Sequence, residues 1–171
     1  MTHFNLKNLK RDRDIHGFME KHGLFILISA IVVILDQASK AFFYSVGSFD
    51  VLPFFSITVL GNTGASFGIL KGNALLLAGI SFIVLFIILY LRKNIEDCRG
   101  EIPLALIFGG TFGNFIDRLL RGEVIDFLHF HYANFSFPSF NVADSCVVIG
   151  VIILVILSFS ENMKNDPIHH R

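Results

Sequence analysis

Four long apolar stretches constrain this chain of 171 residues more than any other feature of its sequence. They lie at about 24–44, 74–91, 102–118 and 142–160, and a helix needs roughly 20 apolar residues to cross the hydrocarbon core of a bilayer. The composition agrees, since 53% of the residues are hydrophobic and only 16% are charged. We therefore predict an all-α membrane protein with four transmembrane helices, forming a single integral membrane domain over residues 1–171.

The first apolar stretch also fits a secretory signal peptide, because a basic segment precedes an apolar core. Two observations disfavour this alternative. The stretch continues through Asp36 and Lys40 without a small-residue cleavage pattern, and three further apolar stretches follow it. The sequence is therefore interpreted as that of a multi-pass protein.

The distribution of basic residues predicts how the spans are oriented. Ten of the 14 Lys and Arg residues lie in the amino-terminal flank, in the loop between the second and third spans, or in the carboxyl-terminal tail. Because cytoplasmic loops carry the excess of Lys and Arg, we expect both termini in the cytoplasm. The loops 45–73 and 119–141 are then expected to face outward.

Both outward loops contain patterns typical of β-strands. Residues 55–60 form a strand-like run that ends at the turn-forming residues 61–64, and residues 124–132 alternate in polarity. Both loops are also rich in Phe, which suits a membrane interface. We predict a small extracytoplasmic β-element that lies on the four-helix bundle.

Ionisable residues gather at the predicted outer boundary of the membrane. Such residues are costly in a bilayer and mark a functional site by default. The first and third spans run outward and the fourth runs inward, so their polar residues meet at one level. The charged members of this layer are Asp36, Lys40, Asp117, Arg118, Asp126 and Asp144. We expect one functional site at this boundary.

Ion pairs that hold the helices together are one interpretation of these charges. Asp36 and Lys40 are four residues apart and share a helical face. Asp117 is followed directly by Arg118, which suggests a second pair. A membrane subunit with a purely structural role is compatible with both pairings.

Two carboxylates, Asp126 and Asp144, remain without an evident basic partner when these pairs are counted. Two carboxyl groups close together cannot both ionise cheaply, so one keeps a proton and the other can act as a base. Such a pair activates water for attack on a peptide carbonyl without a metal or a covalent nucleophile. The same carboxylates would also fit a proton relay in a small transporter or channel, although no internal repeat supports a transporter.

Two other candidate sites are weaker. His129 and His131 project from the same face of a predicted strand and have chelating potential, but no HExxH motif or Cys ligand accompanies them. Ser39 and Lys40 suggest a Ser/Lys protease, but adjacent residues of a helix diverge by about 100°. We therefore predict no metal site and no covalent nucleophile.

Four motifs, in order along the chain, closely resemble those of bacterial lipoprotein signal peptidases (signal peptidase II). Residues 36–40 read DQASK and residues 62–67 read NTGASF. Residues 113–118 read GNFIDR and are followed by GEVIDF at 122–127, and residues 137–144 read FPSFNVAD. The motifs extend over about two-thirds of the chain.

This resemblance implies an aspartic endopeptidase that needs no cofactor. The family removes the signal peptide of a prolipoprotein by cleaving just before a Cys that already carries diacylglycerol. Its catalytic pair falls on Asp126 and Asp144. Its supporting polar residues fall on Asp36, Lys40, Asn62, Asn114, Asp117, Arg118 and Asn141.

The resemblance also implies roles and a location. Asn62, Asn114 and Asn141 are expected to bind the substrate backbone or to orient the catalytic pair. Asp117 and Arg118 are expected to stabilise the geometry of the site. The implied location is the bacterial cytoplasmic (inner) membrane, with the active site near the outer, periplasmic face. The expected partners are diacylated prolipoproteins and membrane lipid but no nucleic acid, and the protein is expected to be a monomer.

Overall fold

The structure, a computed structural model, describes residues 6–65, 69–93, 95 and 98–164, with side chains described for 22–65, 69–93, 95 and 99–160. Two residues of the second motif, Ser66 and Phe67, lie outside the described residues, as do the side chains of the basic amino-terminal flank. The elements in chain order are α1 (Leu6–Val46), β1 (Phe49–Leu52), β2 (Phe55–Asn62), α2 (Ala74–Arg92), α3 (Cys98–Leu120), β3 (Val124–Tyr132), β4 (Phe135–Ser136) and α4 (Val142–Lys164).

Among the described residues, three segments are long and apolar enough to cross a membrane: His22–Val46 in α1, Ala74–Arg92 (the whole of α2) and Val142–Ser160 in α4. The fourth predicted span, 102–118, is helical as expected and lies within α3. Its glycines and charged residues lower its mean hydropathy, so α3 does not meet the same criterion. A mostly helical membrane protein is therefore confirmed, whereas the crossing of the membrane by α3 stays a prediction.

Helix α3 lies at the centre of the bundle and packs against α1, α2 and α4. Two adjacent glycines allow this close approach. A Cβ atom on Gly109 would lie 2.8 Å from the Cβ of Val32 on α1, and one on Gly110 would overlap the carbonyl oxygen of Ala143 on α4. Small residues are the usual means by which membrane helices approach one another. The central position of α3 brings its polar residues to the ends of its neighbours.

The sheet is antiparallel in the order β1-β2-β3-β4, which confirms the predicted small β-element. Its register places Leu60 of β2 opposite Asp126 of β3, two residues before Asn62 at the end of β2. Phe127 is buried and stacks on Phe43 near the end of α1, with their ring centroids 4.6 Å apart. This contact holds the sheet over this end of α1, and Asp126 accepts a hydrogen bond from Asn141, which directly precedes α4.

Candidate active site

The two aspartates predicted to be catalytic line one cleft of about 950 Å³ between the sheet and the amino-terminal end of α4. Asp126 lies in β3 and is 3% exposed. Asp144 lies in the first turn of α4. We refer to Asp126 and Asp144 as the aspartate pair. Asn62, Asn114 and Arg118 line the same cleft.

Three asparagines donate hydrogen bonds to all four oxygens of the aspartate pair. Asn141 Nδ2 donates to Asp126 Oδ1 over 2.7 Å, and Asn62 Nδ2 donates to Asp126 Oδ2 over 2.9 Å. Asn114 Nδ2 donates to Asp144 Oδ1 over 2.8 Å. The backbone N–H of Asn141 donates to Asp144 Oδ2 over 3.3 Å. Asn141 therefore contacts both members of the pair.

The start of α4 explains why Asp144 is held so firmly. The first N–H groups of a helix have no partner within the helix and need acceptors from elsewhere. Asn141 Oδ1 accepts from the backbone N–H of Asp144 over 2.9 Å, and the Asp144 carboxyl group accepts from the Asn141 N–H in return. This reciprocal arrangement is a capping box. Asp36 Oδ1 accepts from the next free donor, the N–H of Ala143, over 3.0 Å.

Burial raises the pKa of Asp126 to about 6, and the neighbouring Asp144 carboxylate adds to this rise. The hydrogen bonds from Asn62 and Asn141 and the charge of Lys40 act in the opposite direction. Desolvation and a like charge both disfavour the ionised form of a carboxyl group. A carboxyl group with a pKa of about 6 can therefore exchange a proton near neutral pH.

Lys40 is 1% exposed and lies within hydrogen-bonding distance of three acceptors on α1 and α3. Its Nζ is 2.8 Å from Asp36 Oδ2, 2.7 Å from Asp117 Oδ2 and 2.9 Å from Asn114 Oδ1. Both carboxylates are fully buried. The predicted pair of Asp36 with Lys40 is thus present as part of a larger network that includes Asp117.

The predicted pair of Asp117 with Arg118 is wrong. Asp117 instead forms ion pairs with Lys40 and with Arg121, and it accepts a hydrogen bond from Gln37 Nε2 over 3.2 Å. Adjacent residues of a helix point in different directions, whereas residues four apart share a face. The spacing of Asp117 and Arg121 was the signal in the sequence for this pair.

Arg118 faces the cleft. Its Nη2 donates to the carbonyl oxygen of Gly64 over 3.3 Å and its Nη1 to the carbonyl oxygen of Asn114 over 3.4 Å. Its buried Nε has no hydrogen-bond partner among the described residues. Arg118 interacts electrostatically with both members of the aspartate pair, although neither forms an ion pair with a Lys or Arg side chain within the described part of the chain.

All nine residues named as candidates in the sequence lie in this one region of the structure. Hydrogen bonds or ion pairs link them as follows: Asp36 and Asp117 to Lys40; Lys40 to Asn114; Asn114 to Asp144, Asn141 and Arg118; and Asn141 and Asn62 to Asp126. Gln37 and Arg121 are not among the predicted site residues, yet they complete the network around Asp117.

The weaker candidate sites lie apart from the aspartate pair or lack the necessary contacts. His129 Nε2 is 2.8 Å from Ser136 Oγ, and the rings of His129 and His131 are 5.3 Å apart. Among the described residues, no three His, Cys, Asp or Glu side chains come together as metal ligands. Ser39 Oγ donates to the backbone carbonyl oxygen of Asp36 over 2.9 Å.

Comparisons with known proteins identify related chains. The family model described as Signal peptidase (SPase) II matches residues 28–160. A protein named lipoprotein signal peptidase from Syntrophus aciditrophicus (strain SB) is 41% identical over 147 residues, which cover 78% of this chain and 90% of that protein. A protein of the same name from Staphylococcus aureus is 40% identical over 155 residues, covering 85% of this chain and 95% of the relative.

Two solved structures share the fold. One, described as a bacterial membrane enzyme solved by the in meso method at 2.3 Å resolution, has a TM-score of 0.78 and 36% identity, covering 85% of this chain and 93% of its own. The other, a bacterial membrane enzyme solved by the same method at 1.9 Å, has a TM-score of 0.71 and 39% identity, covering 79% and 92%.

Proposed function

This chain belongs to the signal peptidase II family, and we propose that it is an aspartic endopeptidase that cleaves diacylglyceryl-modified prolipoproteins before the lipidated Cys. The names of its relatives support a protease that removes signal peptides from prolipoproteins. Its apolar helices support a membrane location. The finer assignments of mechanism, residues and topology follow from the arrangement of side chains in the cleft.

The observation that carries this proposal is the shared environment of the aspartate pair. Asp126 and Asp144 line one cleft, both accept hydrogen bonds from Asn141, and the charge of Asp144 raises the energetic cost of ionising Asp126. Lys40 forms ion pairs with Asp36 and Asp117, and Arg121 forms an ion pair with Asp117. The pair is therefore left to share protons within the cleft.

Charge balance supports one shared proton. Arg118 is the cation that faces the aspartate pair without forming an ion pair among the described residues. One positive guanidinium is balanced by two carboxyl groups that carry a single negative charge. A buried site is most stable when its charges are matched, so the singly protonated pair is the favoured resting state.

This protonation state is suited to peptide hydrolysis. The ionised carboxylate takes a proton from water as the water oxygen bonds to the peptide carbonyl carbon. The protonated carboxyl group gives its proton to the carbonyl oxygen. When the tetrahedral intermediate collapses, the C–N bond breaks and the leaving nitrogen takes up a proton from one carboxyl group. A hydroxyl group of the intermediate returns a proton to the other carboxylate as the new carbonyl forms, which restores the singly protonated pair. Water is consumed and no metal or covalent intermediate is required.

The shape of the cleft suits a lipid-modified peptide. From Asp144 the cleft continues along α4 past Val148 and Ile149, both of which are exposed. Phe137 and Phe140 form part of its wall near the sheet. We assign the apolar surface along α4 to the acyl chains of the substrate, because a peptide bond held at the membrane boundary would then reach the aspartate pair.

The proposed arrangement is a monomer with four transmembrane helices, formed by a single domain over residues 1–171 in the bacterial inner membrane. Both termini lie in the cytoplasm, and the aspartate pair lies near the periplasmic face. The positions of Asp36 and Lys40 at the sheet-facing end of α1, and of Asp144 at the sheet-facing end of α4, support a site at one membrane boundary.

Cleavage of a diacylated prolipoprotein peptide by the purified protein tests the proposal. Asp126→Asn and Asp144→Asn should each reduce kcat by at least about 1,000-fold, because each removes a proton carrier. Asp50→Asn is the matched control, since Asp50 is an exposed carboxylate on β1 and its loss should leave kcat unchanged. Full cleavage by either variant of the aspartate pair would refute the catalytic assignment.

A further inference from the structure

Lys40 controls which way two buried amides face. An ammonium group has three N–H donors and no acceptor, so each of its hydrogen-bond neighbours must present an oxygen. The Lys40 ammonium lies 2.9 Å from the Asn114 side chain, which therefore presents Oδ1 to it. The ammonium group also donates to Asp36 Oδ2 and forms an ion pair with Asp117 Oδ2, so each of its close neighbours presents an oxygen.

The orientation of Asn114 determines what faces the aspartate pair. With Oδ1 directed at Lys40, Nδ2 is directed at Asp144 Oδ1 over 2.8 Å. The same Asn114 oxygen accepts from Asn141 Nδ2 over 3.2 Å, and Asn141 Nδ2 also donates to Asp126 Oδ1 over 2.7 Å. A reversed Asn114 amide would bring two oxygens together at Asp144 and two N–H groups together at Asn141.

We propose that Lys40 is a positioning residue for peptide cleavage, which acts by fixing Asn114 and Asn141 with their N–H groups directed at the aspartate pair. The proposal rests on the proposed function, in which that pair activates water. Lys40 touches neither the pair nor the cleft wall, and it acts through the two amides. Its buried charge has a second effect, because a nearby cation favours the ionised form of a carboxyl group.

The charge of Lys40 acts among several other titratable groups. Asp36 lies on its own helix, Asp117 and the more distant Arg118 lie on α3, and Arg121 directly follows the end of α3. The elements that meet at the cleft contribute Asp126 from β3 and Asp144 from α4. Removal of Lys40 leaves the carboxylates of this set in excess, so the acidic limb of the pH–rate profile should move to higher pH.

Removing Lys40 alone would leave Asp36 and Asp117 short of a cation in the protein interior, and an unpaired buried charge strongly destabilises a fold. The test therefore uses a charge-balanced background. Lys40→Met/Asp117→Asn removes one cation and one anion, and Asp117→Asn alone is its matched reference. The full-length protein is compared in detergent with a diacylated prolipoprotein peptide as substrate.

If Lys40 positions the amides, the double variant should have a kcat at least about 10-fold below that of Asp117→Asn, with KM changed by less than about 3-fold. The acidic limb of the pH–rate profile of the double variant should lie about one pH unit higher than that of Asp117→Asn. Ser29→Ala is a control for buried polar packing on α1, since Ser29 donates to the carbonyl oxygen of Ala105 over 3.2 Å. This control should lower thermal stability without moving the pH profile.

Equal kcat and equal pH profiles in the double variant and in Asp117→Asn would overturn the positioning role. Loss of binding to a non-cleavable diacylated peptide by the double variant would also overturn it, because Lys40 would then be a structural residue. If the wild-type protein itself fails to cleave the peptide, the proposed function fails. If the wild-type protein cleaves the peptide but the loss of Lys40 changes neither kcat nor the pH profile, only the positioning role is contradicted.

Discussion

Asn62 Nδ2 donates a 2.9 Å hydrogen bond to Asp126 Oδ2, and the register of β2 against β3 holds the two residues together. Asn62 Oδ1 in turn accepts from the backbone N–H of Gly64 over 2.9 Å, which fixes the direction of the amide. The chain therefore uses the turn after β2 to orient a donor toward a buried carboxyl group on the neighbouring strand.

Asn62→Ala should reduce kcat for the diacylated peptide by about 10- to 100-fold, because a hydrogen bond to a charged group contributes about 1.5–3 kcal/mol. Ser48→Ala is a suitable control. Ser48, just before β1, accepts a hydrogen bond at its Oγ from the backbone N–H of Val59 on β2 but does not line the cleft. Steady-state kinetics of both variants, with thermal unfolding measured alongside, separate a local effect on Asp126 from a general loosening of the sheet.

The rate of cleavage should fall as the pH rises above about 6. Burial and the Asp144 carboxylate raise the pKa of Asp126 to about 6, so Asp126 loses the shared proton above that pH. At lower pH, protonating both members of the pair removes the base that activates water, so the profile of kcat against pH is expected to be bell-shaped. Its two midpoints belong to the coupled pair and not to either residue alone. A flat profile from pH 4 to 8, measured where cleavage limits the rate, would contradict a shared proton.

Gly110→Ala should lower the thermal unfolding temperature by several degrees, because its new methyl group would overlap the carbonyl oxygen of Ala143 and force α3 away from α4. The aspartate pair depends on this contact, so cleavage should decline as well. Gly79→Ala is the matched control, since a Cβ atom there meets no heavy atom within 4 Å among the described residues. Similar unfolding temperatures for the two variants would show that the α3–α4 approach is not tight.

The orientation in the membrane can be measured with cysteines in a Cys98→Ser/Cys146→Ser background. Asp50→Cys, on β1, should react with a membrane-impermeant maleimide applied to spheroplasts. Lys93→Cys, at the end of α2, should react only after the membrane is permeabilised, because basic residues are concentrated on the cytoplasmic side. The reverse pattern would place the aspartate pair at the cytoplasmic face.

Removal of divalent metals should not change the rate. Treatment of the purified protein with a chelator is expected to leave kcat unaltered, and His129→Ala/His131→Ala should keep most of the activity, since His129 contacts the hydroxyl groups of Ser56, Thr58 and Ser136. Loss of cleavage with the chelator, restored by added Zn²⁺, would favour a metal site at these histidines instead.

Helices and strands could be predicted because their signals are local. The apolar stretch at 74–91 coincides almost residue for residue with α2, and the strand-like run at 55–60 lies within β2. The capping box at the start of α4 follows from Asn141 and Asp144, which are three residues apart. The pairing of Asp117 was predicted wrongly because the adjacent Arg118 appeared to be its nearest partner in sequence, although helix geometry brings Arg121 to the same face.

The amino-acid sequence by itself determined that the chain is a membrane protein, which family it resembles and which carboxylates are in excess over nearby cations. Only the tertiary structure decided which partners the carboxylates have. Lys40 forms ion pairs with both Asp36 and Asp117, and Asn141 donates hydrogen bonds to both Asp126 and Asp144. The physical reason is that apolar periodicity and helix caps depend on neighbouring residues. A hydrogen bond across 74 positions, such as that from Lys40 to Asn114, depends on how closely α3 packs against α1.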